Sequence, residues 1–262
     1  MREYRARIVD EILKDKLEAK GAILIEGPKW CGKTTTALQV ANSVLRMDEP
    51  SKRESNLKMS EIDPSRLLQG VTPRLIDEWQ IAPKIWDAVR YEVDYRGEEG
   101  QFILTGSAVP VETKEITHSG AGRFTWLTMR TMSLYESQES SGEVSLEELF
   151  DSPDKISGSN AHDIDSLAFL ICRGGWPHAI GMKRKAALSQ AEDYFDAVVK
   201  SDINRADGVN KNSERVKRLM RSYARYQGAQ ITGTALRDDI FANETETISE
   251  DTVLSYVNAL KK

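Results

Sequence analysis

The stretch from Gly27 to Thr35 combines residue types that bind phosphate groups. Gly27 and Gly32 enclose four residues and are followed directly by Lys33 and Thr34, which fits the pattern G-x-x-x-x-G-K-[ST]. Glycines in such a loop let backbone N–H groups turn toward an anion with no Cβ in the way. Lys33 adds a positive charge, and the Thr34 hydroxyl can hold Mg²⁺. The predicted phosphate-binding residues are Gly27, Pro28, Lys29, Trp30, Cys31, Gly32, Lys33, Thr34 and Thr35.

The segments on both sides of this loop are those that a phosphate loop requires. The apolar residues 22–25 predict a buried strand before it, and residues 35–41 predict a helix after it. The unpaired N–H groups and the positive dipole end of that helix would face the same anion. A chance glycine turn is the alternative interpretation. The strand, the lysine and the threonine in one register favour the phosphate loop.

A second chemical signal is the adjacent carboxylate pair Asp77 and Glu78. Both follow a short apolar strand predicted at residues 74–76, and ligands of parallel α/β sheets bind at the carboxyl edge of the strands. Beside a phosphate loop, Asp77 would orient the water shell of Mg²⁺, and Glu78 could act as the general base for an attacking water. A solvated pair at a strand end is the alternative. The phosphate loop upstream favours the catalytic interpretation.

Three further residues are candidates for contacts with the reacting phosphate. Thr105 and Ser107 end another predicted strand, where a hydroxyl can hydrogen-bond the attacking water or the γ-phosphate. A Thr-Gly-Ser turn held by local hydrogen bonds is the alternative. Arg123 follows a glycine-rich loop and begins the next predicted strand. It could stabilise transition-state charge in its own subunit or in a neighbour, and an ordinary solvated arginine fits the sequence equally well.

The composition indicates a soluble globular protein and disfavours several classes. The 262 residues suffice for one or two domains, and no apolar run approaches the length of a membrane span. The charged N-terminus lacks the apolar stretch of a secretory signal, so the predicted location is the cytoplasm. A net charge of −5 argues against a surface coated for non-specific nucleic-acid binding. The two cysteines and three histidines form neither a disulfide framework nor a zinc pattern, which leaves Mg²⁺ as the expected metal.

The chain divides by composition into three predicted parts. Residues 1–137 form the phosphate-loop domain, within which the polar residues 47–60 predict an exposed loop. Residues 138–160 are rich in Ser, Glu, Gly and Asp, which predicts a linker. Residues 161–262 are predicted to form a helical region.

The end of the helical region has the spacing of a helix-turn-helix. Residues 214–226, 234–241 and 250–260 predict three helices separated by short polar turns. The first of them is basic and could contact DNA phosphates, whereas a winged helix can also be a lid or pack between domains. Its basic residues are Arg215, Lys217, Arg218, Arg221 and Arg225.

Several longer blocks resemble one known family. They are LIDEWQ at 75–80, IWDAVR at 85–90, FILTGSA at 102–108, GAGR at 120–123, MSLYE at 132–136 and GGWP at 174–177. Over nearly its whole length the chain resembles the bacterial and archaeal AAA+-type ATPases with a C-terminal DUF4143 domain. The resemblance implies an ATP-binding AAA-like domain, in which Thr105 or Ser107 would take the role called sensor 1, and a helical segment with a winged-helix-like part.

The resemblance also carries an expectation about the end of the chain. The family normally continues well past Lys262, which implies a C-terminally truncated chain. Without a following segment, the last predicted helix would leave an apolar surface uncovered. That surface would comprise Leu254, Tyr256, Val257 and Leu260.

Together these observations predict an α/β, AAA+-like P-loop NTPase fold with a parallel sheet flanked by helices, followed by an all-α winged-helix-like region. The predicted function is binding of ATP with Mg²⁺ and its hydrolysis to ADP, and only Glu78 favours turnover. A nucleotide-gated switch with negligible turnover is the main alternative, and a small-molecule kinase is disfavoured because no acceptor-binding lid is recognisable. The sequence leaves open whether DNA, another protein or a second copy is a partner.

Overall fold

The computed structural model describes residues 3–106, 120–204, 211–244 and 247–261. The chain divides into two units, residues 1–191 and residues 192–262. The five strands of the described residues all lie in the first unit. The second unit is helical.

A five-stranded parallel sheet forms the centre of the first unit. Its strands lie in the order β2-β3-β4-β1-β5, and every neighbouring pair is parallel. Because parallel strands end at the same edge of a sheet, the carboxyl ends of β1, β3 and β4 meet there. The strands are β1 Ala22–Glu26, β2 Ser43–Arg46, β3 Arg74–Asp77, β4 Phe102–Thr105 and β5 Phe124–Thr128.

Both faces of the sheet are covered, which explains why its central strands are continuous apolar runs. Ile23 and Ile25 of β1 point to the face covered by α1 (Val9–Ala19) and α2 (Lys33–Ala37). Leu24 points to the opposite face, which is covered by α4 (Lys84–Arg96). Alternate residues of one short strand therefore contribute to two separate hydrophobic clusters.

Two helices near the phosphate loop differ from their predicted bounds. The loop is followed by α2, which ends at Ala37 instead of continuing to residue 41. Gln39 and Val40 bond to carbonyls three residues back, so the chain tightens and turns into β2. The polar residues 47–60 are only in part the predicted exposed loop: residues 50–55 are exposed, but α3 (Arg53–Ile62) is a helix that buries Asn56 and Ser60.

The rest of the first unit contains further helices and a close backbone contact. The helices are α5 (Leu146–Asp151), which lies within the predicted linker, α6 (Ile164–Arg173), and α7 (Arg184–Ala197), which runs into the second unit. After α6 the backbone of Gly175 packs against Met132, whose N–H donates to the Gly175 carbonyl at 2.7 Å. A Cβ at Gly175 would lie 2.1 Å from the Met132 carbonyl oxygen. This contact explains the second glycine of the Gly-Gly-Trp-Pro segment.

The second unit contains the three predicted helices, α8 (Ser213–Arg225), α9 (Gly233–Glu244) and α10 (Glu250–Lys261). They share one hydrophobic core with the turn that follows α7. The prediction that the last helix leaves an apolar surface uncovered is largely wrong. Tyr256 is buried and Val257 and Leu260 pack against the core, while Leu254 is 42% exposed. The described residues of this unit include no strand that could form a wing.

Candidate functional site

The predicted strand, loop and helix around the phosphate-binding motif are present. Gly27 has a φ of +152°, and a Cβ there would lie 2.0 Å from the carbonyl oxygen of Met129. Gly32 has a φ of +106° and stands immediately before α2. Trp30, with a φ of +63° and a side chain 58% exposed, also takes the left-handed conformation. The loop therefore needs glycine at both motif positions. Gly32 is needed for its backbone conformation, and Gly27 both for its conformation and for its close packing against Met129.

Lys33 lies inside the curve of the loop. Its Nζ donates to the carbonyl oxygens of Gly27 at 2.8 Å and Pro28 at 2.9 Å. Burial lowers the pKa of Lys33, while the nearby Cys31 and the carboxylates of Glu78 and Asp77 oppose this shift. A bound phosphate would add further negative charge beside this buried ammonium and so favour its charged form.

Two hydroxyl groups from different elements donate to one carboxylate oxygen on a third element, β3. The Thr34 hydroxyl, at the start of α2, donates to Oδ1 of Asp77 at 2.8 Å. The Thr105 hydroxyl, at the end of β4, donates to the same oxygen at 2.6 Å. The parallel pairing of β3 with β4 places Asp77 directly beside Thr105. The sheet edge thus brings together three of the predicted site residues.

Glu78 stands next to this cluster in an unusual backbone conformation. Its φ of 56° and ψ of 44° are left-handed, which is uncommon for a non-glycine residue. Burial, together with the charge of Asp77, raises the pKa of Glu78, although a hydrogen bond from Gln80 and the charge of Lys33 lower it. The Gln80 amide donates to Oε2 of Glu78 at 2.5 Å. A carboxylate with a raised pKa is a better proton acceptor than an exposed glutamate.

Arg123 is not brought to this cluster. It precedes β5, and the parallel pairing of β5 with β1 places it at the edge where the strands begin, opposite the phosphate loop. There its Nε pairs with Oδ1 of Asp94 at 2.6 Å. The predicted contact with a phosphate in its own chain is therefore wrong, because the length of β1 separates the two. Contact with a neighbouring copy stays a prediction.

The other predicted residues divide between buried and exposed positions. Cys31 is fully buried, and burial raises the pKa of its thiol. Pro28 and Thr35 are exposed and Lys29 is half-buried. Ser107 lies outside the described residues. Within the described ranges, no group of three or more His, Cys, Asp and Glu side chains could hold a metal ion by itself. A divalent cation here would rely on the Thr34 hydroxyl, the Asp77 carboxylate and the phosphates.

Two residues that sequence reasoning missed also contact the loop and its helix. The guanidinium of Arg7 donates to the Cys31 carbonyl oxygen at 2.9 Å. The Tyr4 hydroxyl lies 3.0 Å from the hydroxyl of Thr36 in α2 and donates to Asp10 at 2.6 Å. The charged N-terminal segment gives no signal for either contact, since Cys31 and Thr36 lie more than twenty positions further along the sequence.

Comparison with known families gives two separate matches. Residues 19–138 match a family described as an AAA domain. Residues 164–262 match a domain of unknown function, DUF8612, and not the DUF4143 domain that the sequence resemblance implied. No curated protein matches the chain. No helix in the described ranges combines the length and apolarity needed to cross a membrane.

The solved structures that match the chain include an archaeal and an animal protein. A Walker-type ATPase of Pyrococcus abyssi is 14% identical, with a TM-score of 0.54 over 96% of this chain and 87% of that one. PCH-2 of C. elegans is 16% identical over 92% of this chain and 60% of that one, but its TM-score of 0.28 does not establish a shared fold. The first likeness shows a common fold. Residues 19–138 therefore form an AAA-like P-loop domain, and a helical region follows it.

Proposed function

We propose that this protein binds ATP with Mg²⁺ and hydrolyses it at the edge of the sheet where β1, β3 and β4 end. The observation that carries the proposal is the convergence of Thr34 and Thr105 on Asp77, with the Lys33 ammonium held inside the adjacent loop. The AAA domain match and the P-loop fold support a nucleotide as the ligand.

The residues present fit a magnesium ion. The Thr34 hydroxyl and the Asp77 carboxylate are oxygen donors 2.8 Å apart, and Mg²⁺ prefers oxygen ligands. Asp77 is buried, so its carboxylate has few competing water contacts. When bound, the ion would neutralise charge on the phosphate oxygens. The protein's own part is to hold Thr34 and Asp77 in position, which Thr105 does from the neighbouring strand.

The remaining roles follow from position and charge. The ammonium of Lys33 would leave the loop carbonyls and pair with phosphate oxygens. Glu78 would accept a proton from the attacking water, because its burial favours the protonated form more than in an exposed glutamate. The backbone N–H groups at the start of α2 have no partner within the helix and would face the phosphates.

A nucleotide-gated switch with little turnover is the second candidate, and two observations favour it. Gln80 already holds one oxygen of Glu78 at 2.5 Å, which competes with a water for that carboxylate. Arg123 lies at the opposite edge of the sheet and supplies no charge to a phosphate in the same chain. Turnover would then need a partner that moves Gln80 or brings an arginine, for example a second copy.

The basic helix α8 does not add a DNA-binding function to this proposal. Lys217 pairs with Glu214 at 3.0 Å, and Arg225 donates to Asp239 from Nε at 3.0 Å. Intramolecular pairing reduces the charge that these residues could offer to a nucleic acid. ATP and ADP are therefore the partners that we propose for the chain.

Calorimetric titration of the whole chain with ATP tests nucleotide binding. We expect wild type to bind ATP more tightly with Mg²⁺ than without it, and to bind adenosine far more weakly, since most of the proposed contacts are to phosphate. Lys33→Ala should weaken ATP binding and leave adenosine binding unchanged. Equal affinity for ATP and adenosine in wild type would contradict a phosphate site.

A further inference from the structure

Arg7 lies against the phosphate loop and is 7% exposed. Its guanidinium donates to three acceptors in three segments, each at 2.9 Å. These are the carbonyl oxygen of Cys31 in the loop, the carbonyl oxygen of Arg130, and Oε1 of Glu136. A planar group with three fixed acceptors has little freedom to rotate. The Cys31 carbonyl is therefore held in one direction.

The direction of that carbonyl determines where the next N–H points. A peptide group is planar and trans, so its C=O and its N–H point in opposite directions. With the Cys31 oxygen turned to Arg7, the N–H of Gly32 must point away from Arg7. A Cβ at Gly32 would lie 3.4 Å from the nearer Arg7 nitrogen, so the arginine lies close to this residue as well as to Cys31. The N–H then faces the opposite side of the loop, where a phosphate would bind.

Glu136 holds Arg7 in place through an ion pair. Besides Arg7, its carboxylate accepts the backbone N–H of Ile8 at 2.9 Å and that of Ser133 at 2.7 Å. Burial alone would raise the pKa of Glu136, but these N–H groups and the guanidinium hold it below its ordinary value. The carboxylate is thus ionised and fixed at neutral pH. Arg7 is anchored by a group that does not itself contact the loop.

We propose that Arg7 is a positioning residue for the phosphate loop, which aims the Gly32 N–H at bound phosphate by holding the Cys31 carbonyl away from it. The inference rests on the proposed function, because it assumes that this loop binds the phosphates of a nucleotide. It adds a residue outside the loop motif, 24 positions before the carbonyl that it holds. Without Arg7 the Cys31–Gly32 peptide could rotate and present its oxygen to the anion.

Two substitutions break the same ion pair but differ at the loop. Arg7→Gln removes the bond to Cys31, whereas Glu136→Gln leaves Arg7 able to reach Cys31 and Arg130. Arg5→Gln is a control for the N-terminal segment, since Arg5 donates to the Ser137 carbonyl instead of the loop. We expect the loss of ATP affinity in Arg7→Gln to exceed that in either other variant by about tenfold. This factor corresponds to the free energy of one hydrogen bond from a charged group. Adenosine binding should be the same in all three.

Hydrogen exchange of the loop in the nucleotide-free chain gives a readout independent of ATP. Arg7→Gln should speed exchange of the peptide covering residues 27–36 more than Glu136→Gln does at a matched unfolding midpoint. Should Arg7→Gln not fold, Arg7→Lys keeps a charge beside Glu136 on a stem with a single nitrogen, and it should show the same faster exchange. Loop exchange that rises equally in the Arg7 and Glu136 variants, or equal losses of ATP affinity, would overturn the inference. If wild type binds no ATP the proposed function fails, and the exchange comparison still decides the role of Arg7.

Discussion

The Thr34 hydroxyl donates a 2.8 Å hydrogen bond to Oδ1 of Asp77, although the two residues are 43 positions apart in the sequence. The bond joins the start of the helix behind the phosphate loop to the end of β3. Thr105 donates to the same oxygen from β4. One carboxylate therefore fixes the relative position of three elements at the edge where a nucleotide would bind, and this arrangement directs the first prediction.

Asp77→Asn should remove most of the magnesium dependence of ATP binding. The amide oxygen can still accept a hydrogen bond from Thr34, but it carries no charge for the cation or its water shell. Loss of such a group lowers metal affinity by about 10- to 100-fold. Titration of ATP at several Mg²⁺ concentrations measures the effect, with Thr105→Ser, which keeps the hydroxyl on Asp77, as the control. An Asp77→Asn protein that binds ATP with Mg²⁺ as tightly as wild type would refute the assignment.

The pH dependence of hydrolysis should report Glu78. Because burial raises the pKa of this carboxyl above its ordinary value of 4.5, the rate should fall as pH is lowered, with a midpoint above 4.5. The hydrogen bond from Gln80 lowers that pKa, so Gln80→Met should move the acid limb to higher pH. Initial rates at saturating ATP from pH 4 to 8, at constant ionic strength, give both midpoints. An acid limb that stays in place, or moves to lower pH, is the result that this account does not allow.

The dependence of ATP affinity on pH in the alkaline range should report the titration of Lys33. Burial places the pKa of Lys33 below its ordinary value of 10.5, and phosphate binding favours the charged amine. ATP affinity should therefore begin to fall with rising pH earlier than an exposed lysine would require. Lys33→Arg keeps a charge that does not titrate in this range, and any affinity that it retains should show no such fall. The same alkaline fall in wild type and Lys33→Arg would show that another group titrates.

Gly175→Ala should destabilise the first unit through a backbone clash. A Cβ there would lie 2.1 Å from the Met132 carbonyl oxygen, which cannot move aside as a side chain can. We expect a loss of about 3 kcal/mol in the free energy of unfolding. Gly97→Ala is the comparison, since a Cβ at Gly97 meets nothing within 4 Å and only the positive φ adds a cost of about 1 kcal/mol. Equal losses in the two variants would show that the contact with Met132 is not tight in solution.

Sequence reasoning found the parts of the site whose geometry is local. The residues from Gly27 to Thr34 specify a strand, a turn and a helix start within one short segment, so their spacing alone predicts the loop. Asp77 and Thr105 could be predicted because each ends an apolar strand, and parallel strands end at one edge.

The features that the sequence does not predict depend on residues far apart in the chain. Arg7 contacts Arg130 and Glu136, which lie more than a hundred positions away, and no periodicity reports such a contact. The sequence predicts Arg123 at the start of a strand, and this position is incompatible with contact to a phosphate in its own chain. In a parallel sheet the start of a strand lies at the edge opposite the site. The sequence does not predict the helix α3, because its buried side includes the polar residues Asn56 and Ser60 and therefore shows little apolar periodicity.

Phosphate release by wild type, Glu78→Gln and Lys33→Ala is the most direct test of the central claim, that this sheet edge hydrolyses ATP. We expect wild type to release phosphate in the presence of Mg²⁺ at a rate above the Lys33→Ala background. Glu78→Gln should bind ATP as tightly as wild type and release phosphate about 10² to 10⁴ times more slowly, because a general base contributes mainly in the transition state. Glu78→Gln hydrolysing at the wild-type rate, or wild type releasing no phosphate above the Lys33→Ala background at any protein concentration, would contradict the claim.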